Sequence, residues 1–93
     1  MRLKKNQVNI VKRLVKSFDI HAKVYLYGSR VDDLLKGGDI DLLIISQCFS
    51  FKDKLKLKAE LYSQLGEQKV DVLITKEETA PFVQLVLDTA ILL

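Results

Sequence analysis

The stretch Tyr25–Ile45, YLYGSRVDDLLKGGDIDLLII, sets two carboxylates one residue apart at the head of an otherwise apolar run and precedes them with Gly28-Ser29. In "DIDLLII" (39–45), Ile40, Leu42 and Ile44 alternate with Asp39, Asp41, Leu43 and Ile45, which is the period of a β-strand. Residues two apart in a strand point to one face, so Asp39 and Asp41 project together, with Leu43 and Ile45 continuing their face as apolar groups. The aspartates therefore sit at one end of a partly covered face, a placement suited to a site.

Working outward, "KVYLYGS" (23–29) reads as a short strand ending at Gly28, and "RVDDLLK" (30–36) as one or two helical turns stopped by Gly37-Gly38. Upstream, Val8, Val11, Leu14, Val15 and Phe18 recur every three or four residues, with Lys12, Arg13 and Lys16 on the other side. This predicts an amphipathic helix over 7–18. Downstream, lysines at 52, 54, 56 and 58 imitate strand alternation, but the length of 51–65 and its good helix formers predict a helix closed by Gly66. "KVDVLIT" (69–75) repeats the earlier strand, with Asp71 between two valines. Pro81 then opens a strongly apolar segment, "FVQLVLDTAILL" (82–93), read as a final helix. The predicted order is helix, strand, short helix, strand, helix, strand, helix. It implies an α/β (α+β) domain: a small mixed sheet flanked by helices, with residues 1–93 as one unit.

Size and charge narrow the chemistry. A chain of 93 residues has room for one modest core, and an association surface is expected. Fifteen Lys and Arg against twelve Asp and Glu give a net charge of +3, too little to imply nucleic-acid binding. The lone Cys48 forms no internal disulfide and is expected to be buried and inert; no Cys/His spacing matches a zinc site. No secretory or membrane-spanning run is present, so a cytoplasmic location is expected. Tyr25 and Tyr27, alternating in a strand, read as packing residues or a pocket wall, and His21 as a helix-end or turn residue.

If the strand carrying Asp71 lies beside that carrying Asp39 and Asp41, three carboxylates crowd together, and each raises the others' pKa unless a cation sits among them. Oxygen ligands without Cys or His suit magnesium, whose shell is completed by water and substrate phosphates. Gly28-Ser29 between a strand and a helix start supplies a backbone without Cβ, a hydroxyl and unpaired N–H groups, as a phosphate requires. Arg30 adds a cation for phosphate.

"YGSR…GGDIDLLI…KVDVLI" resembles the nucleotidyltransferase superfamily, and most closely its minimal nucleotidyltransferase branch, over most of the chain from Val24 onward. The resemblance implies that Gly28, Ser29 and Arg30 hold the nucleotide phosphates, that Asp39 and Asp41 bind magnesium, and that Asp71 is the third acid. It implies transfer of AMP from ATP to a hydroxyl, with one or two Mg2+ ions. Members commonly continue Gly-Ser-Arg with a small residue and an Arg-Gly pair, where this chain has Val31, Asp32 and Asp33. A single-domain member resembles the MNT-type antitoxins of HEPN/MNT toxin–antitoxin pairs. That kinship implies a HEPN-domain toxin RNase as partner and one of its tyrosines as acceptor. The alternative is a weakly catalytic antitoxin or scaffold that neutralises a helical partner by contact. An interface, with a second copy or with the partner, is expected through the apolar C-terminal helix.

Overall fold

In a computed structural model, which describes residues 3–28, 39–66 and 69–93, four strands and three helices form one sheet with helices on both faces. The order is α1 (Lys5–Phe18), β1 (Lys23–Tyr27), β2 (Ile40–Ile45), α2 (Phe51–Leu65), β3 (Val70–Thr75), α3 (Pro81–Leu87) and β4 (Ile91–Leu92). The sheet order is β3-β2-β1-β4. β1 runs antiparallel to β2 and β4, while β2 and β3 are parallel and joined by α2, so the sheet is mixed as expected. The expected short helix and its Gly37-Gly38 stop, together with Ser29 and Arg30, lie outside the described residues.

The alternation in β2 decides which helix packs where. Ile40, Leu42 and Ile44 join Val24, Leu26, Val70 and Val72 on one face, and this face is covered by Val11, Leu14 and Val15 of α1 and Leu57, Leu61 and Leu65 of α2. Leu43 and Ile45 point the other way, where α3 covers them with Val83, Val86 and Leu87 beside Tyr25 and Tyr27. Burying a side chain such as Leu42 or Leu57 contributes about 1.5–3 kcal/mol. Both faces are thus used, and the aspartates share the α3 side with Leu43 and Ile45.

α2 is helical throughout, because its first turn carries a complete capping box. Ser50 Oγ accepts from the Asp53 N–H (3.1 Å) and the Asp53 carboxylate accepts from the Ser50 N–H (3.0 Å). The lysine alternation at 52–58 therefore spreads around a helix, and Gly66 ends it at φ +86°.

The C-terminal segment departs from expectation. α3 stops at Leu87, and Ile91–Leu92 pairs with β1, Leu26 opposite Ile91 and Tyr25 opposite Leu92, while the Leu93 N–H donates to the Val24 carbonyl at 3.0 Å. The physical reason is the otherwise open edge of β1, whose backbone groups need partners. Much of the apolar surplus read as a helix is thus the alternation of an edge strand, with Leu93 turned into the core and Leu92 exposed. Cys48, expected buried, is exposed. His21 lies in the turn after α1 with its N–H on the Asp19 carboxylate at 3.0 Å. Among the described residues no helix is long and apolar enough to cross a membrane.

Candidate active site

Strand register brings the acidic residues together. In the parallel β2–β3 ladder Asp41 stands opposite Asp71, and in the antiparallel β1–β2 ladder Asp41 stands opposite Tyr27. Tyr27, Asp41 and Asp71 therefore form one row across three strands. Directly opposed side chains in such a row have Cβ atoms about 4.5–5.5 Å apart. Asp39 immediately precedes β2, two residues before Asp41.

Gly28 closes the row at the end of β1. It has φ +79°, a conformation that disfavours side chains, and a Cβ built there would fall on the Asp41 carboxylate. Gly28 thus abuts Asp41 directly. The missing side chain makes room for the carboxylate itself.

The charges respond to this crowding. Burial raises the pKa of Asp41 above the ordinary carboxylate value, and the negative charges of Asp71 and Asp39 and a carboxyl–carboxyl hydrogen bond with Asp71 raise it further; Lys69 opposes them. The Tyr27 phenol is also raised, first by burial and then by Asp41 and Asp71, so it stays protonated at neutral pH. Lys69 lies 3.8 Å from Asp39 Oδ2 and 4.0 Å from Asp71 Oδ2, a cation bridging the two outer carboxylates.

Lys69 was not singled out by sequence reasoning, although the signal is there. It stands two residues before Asp71 and so shares its face, and its carbonyl accepts the Ile40 N–H at 2.9 Å, which fixes it beside Asp39. Of the other predicted site residues, Gly28 is in place against Asp41.

The donor set is oxygen-only, the chemistry a hard cation takes, and the Lys69 ammonium already lies between Asp39 and Asp71. Among the described residues no group of three or more His, Cys, Asp or Glu side chains is gathered tightly enough to hold a metal ion. Asp41 and Asp71 are the directly facing pair, and Asp39 is linked to Asp71 through Lys69.

This mixed sheet, with its acidic row and α-helices on both faces, can be set beside known families. The family described as "Polymerase beta, Nucleotidyltransferase" matches residues 8–93. The chain belongs to this nucleotidyltransferase family. No curated protein matches it. As a nucleotidyltransferase domain, it carries its acidic row on the two parallel strands and its glycine at the end of the neighbouring antiparallel one, so that all of these features meet at one end of the sheet.

Proposed function

We propose that the protein is a magnesium-dependent nucleotidyltransferase that moves AMP from ATP to a hydroxyl, and that it acts as the antitoxin of a HEPN-type toxin RNase by modifying a tyrosine of that partner. The observation that carries the reading is the Asp41–Asp71 pair. Two like charges held side by side cost stability, and family membership supplies a chemistry in which that cost has a use.

Asp39, Asp41 and Asp71 would hold the ion, and Gly28, Ser29 and Arg30 would face the triphosphate. Bound Mg2+ would neutralise the phosphate oxygens and withdraw charge from the α-phosphorus. In the transfer, the acceptor oxygen bonds to the α-phosphorus, the bond from that phosphorus to the oxygen bridging to the β-phosphorus breaks, and pyrophosphate leaves with the bond's electrons. Asp71 would orient the ion or take the hydroxyl proton. Tyr27, held protonated, would wall the site.

The partner reading draws on kinship and on an exposed apolar face of α3, where Phe82 is 59% and Leu85 73% exposed. Incubating the chain with its HEPN-type partner, ATP and Mg2+, then measuring intact masses, tests both parts. A gain of one AMP on the partner, lost with Asp41→Asn, is the expected result. Complex formation without any mass change would replace transfer by neutralisation through contact.

A further inference from the structure

α2 carries a second surface that the active site does not use. At about 100° per residue, Phe51, Leu55 and Tyr62 fall within about 40° of one another on the helix. They are 72%, 53% and 56% exposed, whereas Leu57, Leu61 and Leu65 on the adjoining face are buried. Lys52 borders this stripe on one side and Lys54 and Lys58 on the other, while Lys56 lies between Lys52 and the helix's acids, Asp53 and Glu60, on the far side. At its N-terminal end the stripe opens into a cavity of about 300 Å³ between Phe51 and Lys54 of α2 and Leu73, Thr75 and Lys76 at the β3 edge.

We propose that this face of α2 is a docking site for a protein partner presenting an apolar helix bordered by Asp and Glu. Charge complementarity selects the occupant. An apolar stripe with lysines on both sides matches a helix whose own stripe lies between acids. A second copy of the chain is disfavoured, because a two-fold contact centred on the stripe sets lysines against lysines. A flat lipid surface would leave the cavity beside Phe51 unfilled, whereas a partner's side chain enters it, and exposed aromatics of this kind anchor protein interfaces. The surface lies across the sheet from Asp41 and Asp71, which share the α3 side, so the proposal does not rest on the transfer reaction.

The test uses the whole chain and three probes: a designed amphipathic helical peptide with leucines flanked by glutamates, the same peptide with lysines replacing the glutamates, and vesicles containing phosphatidylserine. The expected result is binding of the glutamate peptide at least about tenfold tighter than the lysine peptide, with binding weakened about tenfold or more by Leu55→Gln with Tyr62→Gln. Both positions are exposed, and an unchanged circular dichroism spectrum and melting temperature would exclude misfolding as the cause. Equal binding of the two peptides, an unaffected double variant, binding to the vesicles alone, or light scattering that shows a dimer dispersed by the same substitutions would each overturn it.

Discussion

Asp41 and Asp71 face each other across the parallel β2–β3 ladder, with Lys69 next to Asp71 and Tyr27 on the other side of Asp41. A parallel pair in register repeats this opposition along its length, so the same ladder that matches Leu42 with Val72 and Ile44 with Ile74 must match acid with acid. The core and the site are set by one register. A slip of one residue would separate the aspartates, but it would also turn Leu42 and Ile44 out of the core.

That opposition has a pH signature in the metal-free protein. Asp41 is raised above the ordinary carboxylate value, so the folded protein holds its proton more tightly than the unfolded chain does. This contribution to stability is fully present below the unfolded value, about 3.9, and is lost as pH rises through the higher folded value. Asp41→Asn removes it. Urea midpoints measured across that window should fall with rising pH more steeply for the wild type than for the variant, and the variant should be the more stable at neutral pH. Under the proposed reaction it should also lose transfer by about 100-fold or more. Parallel pH profiles for the two proteins would remove the repulsion from the account.

Gly28→Ala tests the contact from the other strand. Alanine at φ +79° is strained, and its methyl group meets the Asp41 carboxylate. A loss of about 1–3 kcal/mol in denaturant unfolding is expected, with weaker Mg2+ binding because the carboxylate must move. A variant within about 0.5 kcal/mol of wild type and unchanged in metal titration would mean that Asp41 does not need the space.

Lys69 is exposed and holds its two carboxylates at 3.8 and 4.0 Å, so its ion pairs are weak. It nevertheless competes with any divalent ion for Asp39 and Asp71. Lys69→Met should tighten Mg2+ binding, and since exposed pairs are worth about 0.2–1 kcal/mol the gain should not exceed about fivefold. Isothermal titration of the two proteins at low salt measures it directly. Weaker binding in the variant would show that Lys69 organises the carboxylates for the ion instead of competing with it.

At the opposite end of the sheet, buried Ser46 ties the loop after β2 to the turn after α1. Its hydroxyl donates to Asp19 Oδ2 at 2.6 Å and accepts from the Cys48 and Phe49 N–H groups at 3.1 and 3.3 Å. The hydroxyl, then the His21 N–H, holds Asp19 below the ordinary carboxylate value. Ser46→Ala leaves those N–H groups without their acceptor and should cost about 1–2 kcal/mol at neutral pH. Asp19's share is present above its unfolded value and is lost as pH falls through the lower folded one, so the difference between the proteins should narrow on acidification. A difference independent of pH would uncouple Ser46 from Asp19.

These residues also explain what the sequence made legible. Period-two alternation in 39–45 fixed the strand and its two faces, and with it the common face of Asp39 and Asp41, because a strand's geometry is local. Repetition of that pattern at 69–75 pointed to Asp71 as a neighbour. Lys69 and the contact between Gly28 and Asp41 were not legible, since both depend on which strands pair and in what register. The end of α3 was misread for a related reason. Helical and strand patterns are indistinguishable in a short, uniformly apolar run, and the free edge of β1 decided between them.

That edge strand changes where a partner is expected. With 91–92 paired to β1, the apolar surface left on α3 narrows to Phe82 and Leu85, while Val83 is buried and Val86 and Leu87 are half-buried against the sheet. α3 covers the same sheet face that bears Asp41 and Asp71, so a partner seated on its outer side approaches the acidic end without crossing the sheet. Phe82→Asp and Leu85→Asp, both at exposed positions, should cost the isolated chain less than about 0.5 kcal/mol. In the mixture with a HEPN-type partner they should weaken assembly by about tenfold or more, since a charge would be placed in an apolar contact. Light scattering reads the assembly, and intact mass reads any transferred AMP. Loss of both signals together would make α3 the surface that presents the acceptor. Variants that assemble and transfer as the wild type does would remove α3 from the interface.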